Sequence, residues 1–266
     1  MGFGNALKRT GRVLLSTDDG TLMRHAFTAV LSVAAILVVV DYRDLVLDGQ
    51  HPGLATPGTD PALPVLPPSL TDGKPEGAPG DIKTAQETLR APIRFDLKPG
   101  GILTAEGTVD AGSADRFRAE IEARGEYVKT VQLSSPGGSV ADALAISALI
   151  REKGLSTDVK AGALCASSCP LILAGGVTRS VEDGAIIGVH QIYDGSGQQA
   201  RAPTGAEAMA MTQVTTARIG RHLQQMGVKP DLWLLGLETP PDSLHYLTAK
   251  EMADTALVTA PVKRKS

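Results

Sequence analysis

Aromatic residues are scarce in this chain of 266 residues, at 3% of the composition, so any core must be built from alanine, valine, leucine and isoleucine. There is no excess of basic residues: 26 Lys and Arg stand against 29 Asp and Glu, for a net charge of −3. A nucleic-acid partner usually shows itself as a basic domain or stripe, and none is present. There are two cysteines, four positions apart, and no second cluster completes a four-ligand zinc site. The five histidines are scattered singly, so neither a metal nor any other cofactor is expected. What is abundant is aliphatic: 42% of residues are hydrophobic, enough for a sizeable core in one or two domains.

The chain changes texture along its length. Residues 1–25 read as a cytoplasmic tail carrying Lys8, Arg9, Arg12 and Arg24, and residues 26–45 as a transmembrane anchor. Ala26 to Val40 is uncharged but spans only about 22 Å as a helix, so Leu22, Met23 and a snorkelling Arg24 must help it reach the roughly 30 Å of a bilayer core. A cleaved signal peptide needs small residues just after the apolar run. The chain instead reads Asp41, Tyr42, Arg43, Asp44, which favours an uncleaved anchor. Basic residues upstream and acidic ones downstream place the N-terminus inside and the bulk of the chain outside the cytoplasm. A buried core helix is the alternative for so short a run.

Residues 46–92 read as a linker. From Gly49 to Pro92 this segment holds nine of the seventeen prolines and no aromatic residue, a composition that favours extended, semi-rigid chain. From 93 to 266 short β-branched runs alternate with helical ones, the pattern of a layered α/β domain. Strands are predicted at Ile102 to Val109, Val128 to Leu133, Thr157 to Ala161 and Ala185 to His190. Helices are predicted at Ser113 to Arg124, with Ser113 as N-cap, and from Val140 to Lys153, ending at Gly154. Thr204 with Glu207, and Thr248 with Glu251, form capping boxes.

Two strand exits are made of small residues: Ser134 to Ser139 (SSPGGS) and Gly162 to Ser168 (GALCASS). Glycine pairs let a backbone approach a ligand and point its N–H groups at it. A helix opening at Ser167 or Ser168 would add unpaired N–H groups suited to an oxyanion. By themselves these features fit a plain turn and an N-cap equally well.

Taken together, SSPGGSVADALAISALI, CASSCPLILAGG and GAIIGVHQ resemble the ClpP/crotonase superfamily, most closely the ClpP-like serine peptidases and their membrane-anchored bacterial relatives. The likeness covers roughly Ile102 to Val258. It implies a layered α/β fold of repeated β-β-α units and a bacterial inner-membrane protein with its domain in the periplasm or exterior. It further implies Ser167 as nucleophile, His190 as base within the His190–Gln191 pair, and the amides of Gly138 and Ser168 as oxyanion donors. A serine attacks only when a neighbouring base takes its proton, and histidine has a suitable pKa.

The third member of a triad departs from the family pattern. Counting back from Tyr246 lands on Leu244, which leaves Asp242 as the candidate, with Asp194 or no acid as alternatives. In the related SppA-type peptidases a lysine is the base, and Lys160 is the nearest upstream. Cys165 and Cys169 bracket Ser167; outside the cytoplasm they are expected to form a disulfide that fixes the nucleophile turn, with buried thiols as the alternative.

The expected activity is peptide hydrolysis on exposed tails or unfolded segments, with no ATPase partner, since ATP is absent there. Peptide or unfolded-protein substrates, the membrane and further copies of the chain are the expected partners. Two other readings stand beside it: an impaired member of the fold that binds peptides or proteins at the membrane, and a crotonase-type acyl-CoA enzyme, which a location outside the cytoplasm disfavours.

Overall fold

A computed structural model describes residues 19–47, 81–192 and 204–260. They belong to two units, one ending at Gly58 and one beginning at Thr59. In the first, helix α1 runs from Asp19 to Leu47. Its stretch Met23–Val40 has a mean hydropathy of 2.0, and its side chains stand exposed. The two hydroxyls inside that stretch turn back on the helix: Thr28 Oγ1 donates to Arg24 O at 2.7 Å and Ser32 Oγ to Thr28 O at 2.8 Å. Such back-bonding satisfies both hydroxyls within the helix itself, as an apolar medium would require. Length and composition thus suit α1 to cross a membrane or to serve as a signal. The linker residues 48–80 lie outside the described residues.

The second unit is a mixed α/β domain. Its elements are α2 (Gln86–Arg90), β1 (Arg94–Lys98), β2 (Ile102–Glu106), α3 (Ser113–Arg124), a 3-10 turn (Gly125–Tyr127), β3 (Thr130–Ser134), α4 (Val140–Glu152) and β4 (Ser156–Val159). There follow β5 (Leu164–Ala166), α5 (Cys169–Ala174), β6 (Arg179–Val181), β7 (Ile186–Val189), α6 (Gly205–Gln225), α7 (Asp231–Glu238), β8 (His245–Tyr246) and α8 (Ala249–Asp254). One sheet has the order β1-β2-β3-β4-β6, with β1 antiparallel to β2 and the others parallel. A smaller sheet, β5-β7-β8, pairs β5 and β7 in parallel and β7 and β8 antiparallel. Both β5 and β7 are buried at every position, the pattern of parallel strands covered on two faces. Aliphatic side chains fill the core as composition requires: Leu133, Ile146, Ile150, Ile172 and Leu173 are fully buried, and Phe95 against Phe117 is the one aromatic pair among the described residues.

Several local expectations meet tertiary effects. Ser113 was expected to cap α3, but it is the first helical residue, and Gly112 precedes it at φ +83°. The cap comes from α4 instead: Asp142 Oδ1 accepts from Gly112 N at 3.1 Å and Ala114 N at 3.0 Å, while Oδ2 accepts from Ser139 Oγ at 2.6 Å. Val128 and Lys129 stay out of β3 because the 3-10 turn runs up to them and Lys129 N donates to Gly101 O. Both capping boxes form, at Thr204/Glu207 and Thr248/Glu251.

The folded domain also takes in the end of the segment read as linker. Lys83 N donates to Gly162 O at 2.8 Å, Thr84 Oγ1 and Ser134 Oγ lie 2.7 Å apart, and Thr108 Oγ1 donates to Leu89 O at 2.8 Å. Leu89 is 1% exposed and packs with Leu164, Ala166 and Ile186 on the small sheet. Ile82 and Leu89 add apolar contacts to these hydrogen bonds and dock a segment whose upstream composition is that of a spacer.

Candidate active site

The register of the small sheet brings Ser167 and His190 together. Ala166 of β5 pairs with Gly188 of β7, so both strands end at one level and their exits face one another. Ser167 follows β5 directly and His190 follows β7 directly. This is the crevice beyond the carboxyl ends of parallel strands, where ligands of α/β sheets bind. Ser167 N donates to Gly188 O at 3.0 Å, which fastens the serine to the histidine's strand.

Ser167 has φ +60°, one of two non-glycine residues with positive φ among the described residues. A left-handed residue with a Cβ costs on the order of 1–2 kcal/mol. That conformation makes the turn from β5 to α5 sharp, and Ser167 is half-buried between the buried Ala166 and Ser168. The helix begins only at Cys169, two residues past Ser167, with Ser168 as the preceding residue. A disulfide joins Cys165 in β5 to Cys169 in α5, Cα to Cα 5.1 Å, so a covalent link closes the base of the turn. Both cysteines are fully buried.

Ser167 Oγ lies 2.8 Å from His190 Nε2, and His190 Nδ1 lies 3.1 Å from Pro241 O. A carbonyl accepts only, so Nδ1 carries the proton and Nε2 presents its lone pair to the hydroxyl. His190 is 4% exposed. Burial pulls its pKa below the ordinary value, partly countered by the Pro241 carbonyl, so the ring is neutral at neutral pH. A neutral imidazole aimed at a serine hydroxyl is the ground-state arrangement of a general base.

Asp242 does not join this pair. Its carboxylate stands on the surface and accepts from Ser243 Oγ at 3.3 Å, while the carbonyl of the preceding residue takes the place at Nδ1. The reason is backbone pinning: Gln191 N donates to Thr239 O at 2.9 Å and Gln191 Nε2 to Leu237 O at 2.7 Å, and Pro240 and Pro241 then steer the carbonyl, not the next side chain, at the ring. Asp194 lies outside the described residues. Lys160 is bound by Asp158 at 2.8 Å and Glu182 at 2.9 Å, and the hydrogen bonds to Asp158 and Glu182 push its pKa up, the wrong direction for a base.

The SSPGGS loop crosses from the large sheet to the small one. Ser135 N donates to Leu164 O at 2.6 Å and Ala166 N to Ser135 O at 3.0 Å, which lays Gly137 and Gly138 along the serine turn. A Cβ on Gly137 (φ +95°) would stand 2.6 Å from Ala166 O and from Ser167 Cβ, so only glycine permits the approach. Val109 N donates to Gly137 O and Ser139 N to Val109 O, and Ser139 Oγ is held by Asp142. These bonds fix the loop while the N–H groups of Gly138 and Ser168 have no acceptor among the described residues. Backbone donors without acceptors are what an oxyanion hole requires.

Two groups that sequence reasoning passed over sit behind α5. Arg151 donates to Gly175 O, Ala174 O and Gly176 O, and Arg179 to Gly176 O, Leu257 O and Ala256 O, at 2.7–3.1 Å. Two guanidiniums therefore cap the C-terminal carbonyls of the helix that Ser167 precedes, where positive charge is favoured. Arg179 is 4% exposed, and burial together with Arg151 lowers its pKa. Beside them His222 Nε2 meets Ser147 Oγ at 2.7 Å. Nothing in the sequence marks these charges as interior, because their partners are backbone carbonyls.

No family model and no curated protein matches the chain. Among solved structures it is similar to the 1510-N membrane-bound stomatin-specific protease, in a serine-to-alanine form, at 19% identity and a TM-score of 0.43. The match covers 59% of this chain and 75% of that one.

Proposed function

We propose that the protein is a membrane-anchored serine hydrolase that cleaves peptides without an ATPase partner. The observation that carries the reading is the 2.8 Å contact between Ser167 Oγ and a neutral, buried His190 Nε2 at the ends of paired strands. Ser167 Oγ attacks the substrate carbonyl as its proton passes to Nε2. The oxyanion forms opposite the N–H groups of Gly138 and Ser168, each donor of this kind being worth about 2.7–4 kcal/mol in acyl transfer. His190 returns the proton to the departing amine, and water then repeats the sequence on the ester. Gln191 acts at one remove, holding the Leu237–Pro241 backbone that orients the ring.

Helix α1 anchors the domain, with the basic residues before it in the cytoplasm and the domain outside, where the Cys165–Cys169 disulfide is stable. A carbonyl at Nδ1 fixes the tautomer but stabilises an imidazolium less than a carboxylate does. That one feature favours a second reading, a protein that binds peptides and turns them over slowly or not at all.

Labelling of the full-length protein in detergent by a fluorophosphonate separates them. Attachment that is lost in Ser167→Ala and in His190→Ala supports the hydrolase. No labelling of folded, oxidised wild type rejects it in favour of binding.

A further inference from the structure

Acyl transfer needs the serine side of the site held as firmly as the base, and Gln191 acts only on the base. On the serine side the geometry passes through α5. Ser168 precedes that helix, and Leu171 N donates to Ser168 O at 3.1 Å, so the Ser168 amide moves with the first turn. The helix has six residues, about 9 Å of rise, too few to hold a shape without tertiary support. Its near end is held by the disulfide.

The far end is held by side chains. Thr157 Oγ1 donates to Leu173 O at 2.7 Å. Arg151, in the last turn of α4, donates through Nε to Gly175 O at 2.8 Å and through Nη2 to Ala174 O and Gly176 O, each at 3.0 Å. A Cβ on Gly175 or Gly176 would run into Ser147 of α4 or Thr157 of β4, so both elements close on this end of the helix. Arg151 Nη2 also donates at 3.3 Å to the carbonyl of Met226, the residue that caps the end of α6. One half-buried side chain therefore joins the end of α5 to the end of α6. Those two helices supply Leu171 and Leu223 to the wall of the cavity that Ser167 and His190 also line.

We infer that Arg151 is a positioning residue for the reaction at Ser167: it fixes α5, and with it the Ser168 amide, and sets the spacing of α5 from α6 beside the nucleophile. The inference rests on the hydrolase reading and gives Arg151, on the serine side, the part that Gln191 has on the histidine side. Arg179 shares the Gly176 and Met226 carbonyls but also ties Ala256 and Leu257, so its loss would unsettle the C-terminal chain as well. Arg151 is the cleaner residue to change.

The test follows the rate of fluorophosphonate labelling in the full-length protein in detergent, well below the melting point of every variant. Wild type is compared with Arg151→Met, Arg151→Lys and Phe95→Leu. The last lies in β1, at the far edge of the large sheet, and weakens the core without touching α5, so it controls for lost stability. A misplacement of about 1 Å costs on the order of 100-fold in an aligned reaction; with the disulfide still holding one end, Arg151→Met is expected to label about 5- to 50-fold more slowly. Arg151→Lys keeps the charge but not the fork and should fall between it and wild type. The pH midpoint of labelling should stay within about 0.3 unit of wild type, because the contact of His190 with Pro241 O is untouched. A generally loosened site would instead admit water to the ring and move the midpoint up towards about 6.5. A loss smaller than about fivefold in Arg151→Met overturns the inference and leaves the hydrolase standing. So does an equal loss in Phe95→Leu, or a raised midpoint, since either makes the effect of Arg151 one of stability alone. Should Arg151→Met not fold, Arg151→Lys decides in its place, a rate equal to wild type overturning the inference. Failure of wild type to label removes the hydrolase and this inference together.

Discussion

Removing the disulfide beneath Ser167 tests whether the turn is held or merely decorated by it. Both cysteines are fully buried, so the cleaner perturbation is the double variant Cys165→Ala, Cys169→Ala rather than a reductant. The link closes a loop with a sequence separation of four. Chain-entropy scaling for a loop of about five residues gives roughly 2 kcal/mol, the low end for disulfides. The left-handed φ of Ser167 costs on the order of 1–2 kcal/mol, so the link and the strain it opposes are of similar size. Two backbone bonds remain after its removal, Ser167 N to Gly188 O and Ala166 N to Ser135 O. The turn should therefore stay folded but spend much of its time in relaxed conformations that aim the hydroxyl away from His190. A loss of the whole 2 kcal/mol corresponds to about a 30-fold lower competent fraction, and partial retention by the two bonds brings the expected loss to about 3- to 30-fold. The assay is the fluorophosphonate labelling rate of the variant against wild type, with circular dichroism and melting to establish folding. A folded variant that labels within twofold of wild type would refute the reasoning, because the strained turn would then be maintained by the strands alone.

Other expectations follow from single contacts. Asp242→Asn should leave the labelling rate within about twofold, because Pro241 O and not that carboxylate meets His190, whereas loss of a true triad acid slows catalysis about ten-thousandfold. Labelling should rise with pH to a plateau whose midpoint lies below the ordinary histidine value of about 6.5, because burial lowers the pKa of His190; a midpoint above 7 contradicts this. Burial likewise lowers the pKa of His222, so both histidines resist protonation in the fold but not when unfolded. Stability is then greatest above about pH 6.5 and falls as pH drops through the folded-state values, which melting curves between pH 7.5 and pH 5 should register as a falling Tm. Asp142→Ala removes the cap of α3 and the anchor of Ser139; at about 1–2 kcal/mol it should lower the Tm by some 2–8 °C and slow labelling as well, while an effect on Tm alone would separate the cap from the loop.

Local sequence reading reached as far as local physics. The two capping boxes, the glycine end of α4 at Gly154 and the small-residue strand exits are set by residues a few positions apart, and they form where the sequence places them. The approach of Ser167 to His190 is not local; it depends on the pairing of Ala166 with Gly188, and only the likeness to a known family suggested it. Where the partner of a group is a backbone carbonyl, sequence is nearly silent. Pro241 O at His190, and the carbonyls that hold Arg151 and Arg179, belong to residues whose types say nothing of the role. Ser113 failed as a cap because a carboxylate from another helix outcompeted it. The docked segment from Asp81 to Pro92 escaped notice because composition averages over the proline-rich chain before it.

That docked segment decides where the chain enters the folded domain. Lys83 and Thr84 are tied to Gly162 and Ser134, and Leu89 is seated against Leu164 and Ala166 of the strand that Ser167 follows. The chain thus enters the fold beside β5, the strand that Ser167 follows, and the first bonds to bear any pull on it adjoin β5 and the end of β3. A protein trimmed at residue 92 loses those contacts and bares Leu164 and Ala166, so a shortened form should begin before Asp81 if it is to keep the Ser167 turn supported.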